Sequence, residues 1–141
     1  MSDRGLPELD LSSLARALGQ LESAIHSWAE KPEDTLIRDA VIQRFEFTYE
    51  LSVRTLRRYL RSIAASEDEV DILSFKELIR RAGELRLVRG GTLEWGDFRQ
   101  ARNDTVHTYN EIRATEVAAA AKEFAEEARV LFDNLSRRIQ E

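Results

Sequence analysis

The sequence predicts an all-α protein, an antiparallel up-and-down four-helix bundle with an additional short helix, five helices in all. Three observations lead to this fold class. Apolar residues recur every three or four positions along most of the chain, which is the spacing of one face of an α-helix. The 141 residues include only 6 Gly and 2 Pro, too few for the many turns of a β-sandwich or barrel. Short connections join the helical segments, and such connections favour antiparallel neighbours.

Clear signals bound the first two helices. The first is predicted to follow Asp10, a suitable N-cap, and to end at Lys31–Pro32, because proline disfavours helical geometry in the residue before it. The second is predicted to begin near Asp34 and to continue to about Ile63. Its broad apolar face carries Leu36, Ala40, Val41, Phe45, Tyr49, Ser52, Leu56, Tyr59, Leu60 and Ile63.

The middle of the chain contains a loop and the short helix. The acidic stretch Ser66–Asp71 is predicted to be a solvated loop. Ser74 and Glu77 have the spacing of a capping box, in which each side chain accepts a hydrogen bond from the other residue's backbone N–H. This pair predicts the start of the third, short helix, and Gly90–Gly91 then interrupts the helical pattern.

Two further helices complete the predicted bundle, which takes up residues 1–141 as a single domain. The fourth helix is predicted from about Thr92 and is expected to include Val106 and Tyr109. The last helix is predicted to start near Thr115. The predicted seam of this helix is formed by Val117, Ala121, Phe124, Ala128, Leu131, Leu135 and Arg138.

Composition limits the chemistry that the chain can carry. The absence of cysteine excludes disulfides, thiolate zinc sites and cysteine nucleophiles, and only His26 and His107 supply imidazoles. The formal net charge of −5 argues against a general nucleic-acid coat protein, although residues 51–110 hold 11 basic and 9 acidic side chains. No stretch approaches the length of apolar sequence needed to span a bilayer, so a cytoplasmic protein without a membrane partner is expected.

One segment concentrates chemically active side chains at a helix end. Arg102, Asn103, His107 and Tyr109 bring a guanidinium, an amide, an imidazole and a phenol together within eight residues. On an ideal helix the Asn103 amide lies one turn below His107 and is placed to orient its ring. Arg102 and His107 diverge by about 140° on such a helix, so one straight helix does not bring them to a single atom. Either the helix loosens at Thr105–Val106, or a subunit interface brings the two groups together.

These residue types fit metal-free cleavage of RNA. That reaction needs a base for the 2′-OH proton, an acid for the leaving 5′-oxygen and a cation to stabilise the phosphorane. Arg102 would be the cation, whereas the single imidazole of His107 supplies only one of the two proton-transfer groups. A two-fold dimer, the commonest oligomer symmetry, would supply a second copy of each.

Two other interpretations of the segment remain open from the residues alone. A helix end with a partly buried histidine and tyrosine forms ordinary structural hydrogen bonds in many proteins. Asp104, His107 and Glu111 also lie at spacings that place them on one helical face, where two carboxylates and an imidazole suit a divalent metal.

The sequence resembles the nucleotidyltransferase substrate-binding proteins, small helical members of the HEPN superfamily, and so the predicted bundle is HEPN-like. The segment from Gln43 to Leu51, followed by Leu56 and Tyr59–Leu60, is similar to the second-helix signature of this family. Ser74 to Leu87 resembles its short third helix. Arg102-Asn103-x-x-x-His107-x-Tyr109 matches the R-x4-H-x-Y motif of the HepT-like toxins. The resemblance extends from about Leu11 to Leu135.

The resemblance implies a homodimer in which the motifs of both copies line one cleft. In the toxin branch of the family, the protein is a metal-independent endoribonuclease and the toxin of a HEPN–MNT type toxin–antitoxin pair. Arg102 would then bind and stabilise the scissile phosphate, His107 would be the general acid/base, and Asn103 would orient the site. Tyr109 would carry the hydroxyl to which the partner transfers AMP. The added phosphate charge in the cleft would inhibit the ribonuclease.

The implied partners are an RNA substrate and a cognate minimal nucleotidyltransferase, which is the antitoxin. The chain itself would need no cofactor or metal, because the ATP is used by the partner. The same R-N-x-x-x-H-x-Y residues occur in family members regarded as substrate-binding subunits. A non-catalytic subunit that partners a minimal nucleotidyltransferase is therefore the alternative function.

Overall fold

A computed structural model of the chain describes residues 9–140, and within that range every regular element is helical. The helices are α1 (Ser12–Glu30), α2 (Thr35–Ile63), α3 (Glu67–Asp71), α4 (Phe75–Glu84), α5 (Thr92–Asp104) and α6 (Glu111–Gln140), with a 3-10 turn at Thr105–His107. The all-α prediction is confirmed, with one more short helix than the five expected. None of these helices is both long and apolar enough to cross a membrane.

Side-chain contacts between the four longer helices show that consecutive long helices are antiparallel. In the α1–α2 pair, Arg44 donates to the carbonyl of Gln20 at 2.8 Å, and Thr48, further along α2, donates to Ala17, which lies earlier in α1. In the α5–α6 pair, Trp95 donates to Glu127 across the interface near the start of α5. The other end of that pair is joined by an ion pair between Asp104 and Arg113. The up-and-down arrangement predicted from the short connections is therefore confirmed.

An aromatic cluster occupies the centre of the bundle, where α2, α5 and α6 meet. Its members are Phe45, Tyr49, Trp95, Phe98 and Phe124. Neighbouring rings in this cluster lie 5.3–6.5 Å apart between centroids, mostly in tilted or edge-to-face pairs. Burial raises the pKa of the Tyr49 phenol to about 12, so that ring stays neutral at physiological pH. The cluster joins α5 firmly to the two longest helices.

Local sequence signals predicted several helix boundaries correctly. Asp34 caps α2 by accepting hydrogen bonds from the backbone N–H groups of Leu36 and Ile37. Ser74 and Glu77 form the predicted capping box at the start of α4, with both reciprocal hydrogen bonds present. Asp10 accepts from the backbone of Ser12 at 2.8 Å, but the N-cap position of α1 belongs to the next residue.

The acidic segment predicted to be a solvated loop is instead the helix α3. Ser66 caps this helix by accepting a hydrogen bond from the backbone N–H of Asp68. The acidic residues of its first turn interact favourably with the positive end of the helix dipole. Val70 is fully buried and fixes the turn against the core. Five residues are too few to show a helical periodicity of apolar side chains, so the prediction of a loop was wrong.

Two other boundary or burial predictions were also wrong. Helix α6 begins at Glu111, earlier than the predicted Thr115, because the Asn110 side chain accepts from two backbone N–H groups of its first turn. Leu36 and Ile63, which were placed on the apolar face of the second helix, are exposed. Both lie in the end turns of α2.

The loop before α5 is tied to a buried carboxylate. One oxygen of Glu127 accepts hydrogen bonds from the backbone N–H groups of Arg89 and Gly90 and from the indole of Trp95, at 2.8–3.1 Å. A Cβ at Gly90 would lie only 3.1–3.2 Å from side-chain atoms of Glu94 and Glu127, so a larger residue there would displace one of these side chains. Glu127 thereby fixes where α5 starts.

Candidate active site

The predicted motif lies where α5 ends and the chain turns into α6. The helix stops at Asp104 and continues as a 3-10 turn over Thr105–His107, so of the two predicted alternatives the loosening of the helix is observed. The hydroxyl of Thr105 donates to the carbonyl of Arg102 at 2.8 Å, and Thr108 donates in the same way to Thr105. The prediction that the fourth helix includes Tyr109 is wrong, because the chain leaves α-helical geometry after Asp104 and forms the 3-10 turn instead.

Arg102 is held by two carboxylates that project from α2. Its guanidinium is hydrogen-bonded to Glu50, with the Nε–Oε1 distance at 3.1 Å, and lies 3.5 Å from a carboxylate oxygen of Glu46. The hydrogen bond to Glu50 raises the pKa of the guanidinium, which therefore remains charged. Only 25% of the side chain is exposed. Both contacts use Nε and Nη2, and no described residue forms a hydrogen bond or ion pair with Nη1.

Glu46 and Glu50 were not predicted as site residues. They are separated by four positions, so they lie on one face of α2, and both belong to the segment that resembles the family's second-helix signature. The signal that could have pointed to them as site residues was the presence of two carboxylates one turn apart within this signature. Their partner, however, is more than fifty residues away in the sequence and could not be inferred from spacing.

His107 and Tyr109 stand beside each other at the surface. Their ring centroids are 6.3 Å apart and the rings are nearly perpendicular, at 77°. Both residues are exposed, and neither side chain forms a hydrogen bond with any described residue. The Asn103 amide, expected to orient the imidazole, is exposed and is not hydrogen-bonded to it within the described residues. The structure therefore brings the two rings together but does not join them to Asn103.

The alternative interpretation as a metal site is wrong for the stripe of Asp104, His107 and Glu111. Asp104 is paired with Arg113 at 3.2 Å and accepts from Gln100. Glu111 is paired with Arg38 at 2.5 Å, and this hydrogen bond lowers the pKa of the Glu111 carboxyl. The break at the 3-10 turn also removes the straight helix that the spacing assumed. Residues 9–140 contain no group of three or more acidic, histidine or cysteine side chains placed to hold a metal ion.

Apolar side chains around the motif are unusually exposed. Val106, Tyr109 and Ile112 are 68%, 85% and 73% exposed, although they lie within seven residues of one another. Phe47, on the same helix as Glu46 and Glu50, is also exposed and borders a groove of about 470 Å³ beside α1. A concentration of exposed large apolar residues is typical of a surface that contacts another molecule.

The second histidine and the tryptophans lie outside this site. His26 is exposed on α1 and is 3.9 Å from Glu30, one turn further along the helix. Trp28 donates its indole N–H to the carbonyl of Pro32, whereas Trp95 belongs to the buried aromatic cluster. Of the two imidazoles, only that of His107 lies in the motif.

Comparisons with known proteins extend over nearly the whole chain. Residues 9–137 match the family described as nucleotidyltransferase substrate binding protein like. A Haemophilus influenzae protein named probable ribonuclease HepT is 34% identical over 142 aligned residues, which include 94% of this chain and 96% of that protein.

Two solved structures are similar to this chain. One is a Haemophilus influenzae protein described as having the fold of a substrate-binding domain of a nucleotidyltransferase, with a TM-score of 0.83 and 29% identity over 90% of this chain and 99% of that one. The other is a protein from Thermus thermophilus, with a TM-score of 0.64 and 30% identity over 91% of this chain and 99% of that one.

Proposed function

This chain belongs to the nucleotidyltransferase substrate-binding protein-like family, and we propose that it is an endoribonuclease, the toxin of a HEPN–MNT type toxin–antitoxin module. The observation that carries the proposal is the motif at the end of α5, where Arg102 is fixed by two carboxylates and the rings of His107 and Tyr109 lie exposed beside each other. The name of the Haemophilus influenzae relative, a ribonuclease, supports the same activity.

The proposed reaction is transesterification without a metal. The imidazole of His107 removes the proton of a ribose 2′-OH, and the oxygen attacks the adjacent phosphorus. As the bond from phosphorus to the 5′-oxygen breaks, an acid protonates that oxygen, which leaves a cyclic phosphate and a free 5′-hydroxyl. His107 is suited to the first proton transfer because its ring is exposed and engaged in no hydrogen bond with a described residue.

Arg102 is suited to hold the phosphate because one edge of its guanidinium stays open. Glu46 and Glu50 engage Nε and Nη2 and thereby fix the orientation of the planar group. The two N–H bonds of Nη1 are available for a phosphate oxygen, and an arginine can bind phosphate with a defined geometry. A group fixed before the substrate arrives stabilises the developing charge without reorganising.

A homodimer would complete the site. One chain places a single imidazole at the motif, and the reaction needs both a base and an acid. The exposed Val106, Tyr109 and Ile112 surround the motif and would be covered in part by a second copy related by two-fold symmetry. We expect Val106→Asp to shift the protein toward monomer in analytical ultracentrifugation and to reduce cleavage in parallel. An active monomer at assay concentration would contradict the dimer.

The nuclease proposal is tested with purified single-site variants and a fluorescent single-stranded RNA. We expect His107→Ala and Arg102→Ala each to lower the cleavage rate by about 100-fold or more, the range for loss of a general acid/base or a charge-stabilising group. His26→Ala is the matched control, because it removes the other exposed histidine and should leave the rate unchanged. Equal, background-level cleavage by the wild type and all variants would reject the proposal.

Tyr109 is proposed as the acceptor of AMP from the partner nucleotidyltransferase. Its phenol oxygen would attack the α-phosphorus of ATP, forming a P–O bond while the α–β anhydride bond breaks, with release of pyrophosphate and of the phenolic proton. Its 85% exposure leaves the oxygen accessible, whereas Tyr49 and Tyr59 are buried. Intact mass spectrometry after incubation with the partner and ATP should show added AMP, and Tyr109→Phe should show none. Persistent modification in that variant would exclude this acceptor.

A non-catalytic subunit that partners a minimal nucleotidyltransferase is the second candidate function. The observation that favours it is that Arg102 already has two carboxylate partners, which lower its net attraction for a phosphate. The description of the similar Haemophilus influenzae structure as a substrate-binding domain agrees with this function. Stable binding to the transferase, with no cleavage of any RNA tested, would favour it over the nuclease.

A further inference from the structure

A second concave site lies beside the motif, between the first turn of α4 and the exposed face of α5. This pocket has a volume of about 260 Å³. Its lining residues are Phe75, Lys76, Thr92, Gly96, Arg99, Gln100 and Asn103. Ligand pockets for whole cofactors and drugs usually exceed about 300 Å³, so this one is sized for a smaller unit. Through Asn103 it directly adjoins the motif.

The pocket presents one stacked cation and one mobile cation. The Arg99 guanidinium lies over the ring of Phe75, 4.9 Å from its centroid, which holds the guanidinium in a defined plane. Lys76 supplies a flexible ammonium from the first turn of α4, a place where the helix dipole disfavours a cation. Neither residue forms an ion pair within residues 9–140. By contrast, Arg102 in the neighbouring motif is bound by two carboxylates.

The remaining lining leaves room and hydrogen-bonding capacity. The Asn103 amide is exposed and forms no hydrogen bond with a described residue, so both its N–H groups and its carbonyl are available to a base edge. Gly96 contributes open space, since a Cβ placed there would meet no atom within 4 Å. Stacking surface, cations and an open amide together match the way in which proteins hold single-stranded nucleic acid.

We propose that this pocket binds one nucleotide of a single-stranded RNA, next to the position where the strand is cut. The base stacks on the pair formed by Phe75 and Arg99, and Lys76 binds its phosphate. The inference rests on the proposed nuclease function and names where the substrate strand runs. Asn103 then contacts the base, a role different from orienting His107.

The test measures RNA binding separately from cleavage. The probe is a fluorescent single-stranded RNA in which every 2′-hydroxyl is methylated, so that it cannot be cut, and affinity is measured by fluorescence anisotropy. We expect Arg99→Ala and Lys76→Ala each to weaken binding about tenfold, through lost stacking and a lost phosphate contact. Lys76→Ala should also reduce the slope of log affinity against log salt by about 0.7. The matched control is Lys122→Ala, an exposed lysine of α6 that does not line the pocket.

A pair of glycine variants tests the pocket by its shape. Gly96→Leu should fill the open space and weaken binding about tenfold, like the loss of the stacking surface. Gly96→Ala occupies little of that space and favours the helix, so it should fold at least as well as the wild type and retain binding. Circular dichroism checks that both variants keep the helical fold.

The outcomes separate this inference from the nuclease proposal. Unchanged RNA binding in Arg99→Ala, Lys76→Ala and Gly96→Leu overturns the pocket assignment and leaves cleavage by His107 and Arg102 untouched. Pocket-dependent binding by a wild-type protein that cuts no RNA supports the pocket and rejects the nuclease. If ATP alone binds and these variants lose it while the RNA does not bind, the pocket takes a free nucleotide and the assignment to RNA is wrong.

Discussion

The two ends of helix α5 are fixed by different kinds of contact. At the start, Trp95 is fully buried among aromatic rings, and its indole is bound to the buried carboxylate of Glu127. At the end, Arg102 is held by ion pairs at the surface, and Tyr109 has neither a covering residue nor a hydrogen-bond partner among the described residues. Packing at the start of α5 therefore sets the position of the motif, while the motif contributes little to packing.

The largest expected difference between the two ends is in stability. Trp95→Ala should lower the free energy of unfolding by about 3–5 kcal/mol, because it leaves a large cavity and removes a donor from Glu127. Tyr109→Ala, at the exposed end, should change it by less than about 0.5 kcal/mol. Urea denaturation followed by circular dichroism measures both. Similar losses in the two variants would mean that Tyr109 is covered in solution by part of the protein or by a second copy.

A smaller loss is expected when only the charge of the buried carboxylate is removed. Glu127→Gln keeps the size of the side chain and one acceptor oxygen. A neutral amide, however, replaces the carboxylate that accepts three hydrogen bonds. We expect a loss of about 1–2 kcal/mol in the free energy of unfolding, the range for hydrogen bonds to charged groups. Glu123→Gln, on the exposed face of the same helix, is the matched control and should be neutral. An equally neutral Glu127→Gln would show that its charge does not stabilise the loop before α5.

At the motif end, the expected effect is on activity rather than on folding. Glu50→Ala should lower kcat for RNA cleavage about tenfold, because Arg102 loses the partner that orients its guanidinium and small misplacements are costly in catalysis. The free energy of unfolding should change by less than about 1 kcal/mol, as is usual for an exposed ion pair. Glu50 is a positioning residue, so the change should appear in kcat more than in KM. Faster cleavage would instead mean that Glu50 competes with the phosphate.

The smallest expected effect concerns the pH dependence of stability at the start of α6. Arg38 lowers the pKa of Glu111, so the folded state binds protons at this carboxyl less readily than the unfolded chain. Its stabilisation is therefore fully present above the ordinary carboxyl pKa of about 4.3 and disappears as the pH falls through the lowered value. The wild type should be slightly more stable than Glu111→Gln at pH 7, and the difference should shrink as the pH falls below the ordinary carboxyl pKa. A difference that stays constant as the pH falls would refute the explanation.

The sequence predicted features that depend on neighbouring residues better than those that depend on distant ones. The cap of Asp34 and the capping box of Ser74 and Glu77 are contained in four residues, so spacing was enough. The pairing of Arg102 with Glu50 joins two helices, and no local pattern carries that information. The same holds for Glu127, whose three donors lie in and after a loop more than thirty residues away.

Predicted helix starts were wrong where a single polar side chain, and not the apolar periodicity, sets the first turn. Asn110 starts α6 before its apolar seam begins, and Ser66 starts α3 in a segment with only one buried apolar residue. The motif was recognised by its residue types and by family resemblance, while its geometry was open from the residues alone. The 3-10 turn, which threonine hydroxyls stabilise, sets the geometry of the motif.

The 3-10 turn at Thr105–His107 also has an evolutionary consequence. It follows the last buried residue of α5, Ala101, so the side chains beyond it are under weak constraint from folding. Selection can therefore act on His107 and Tyr109 through function alone. Descendants of such a chain could lose or regain a reactive group by one substitution without passing through an unstable intermediate. A single bundle could in this way give rise to both catalytic and purely binding lineages.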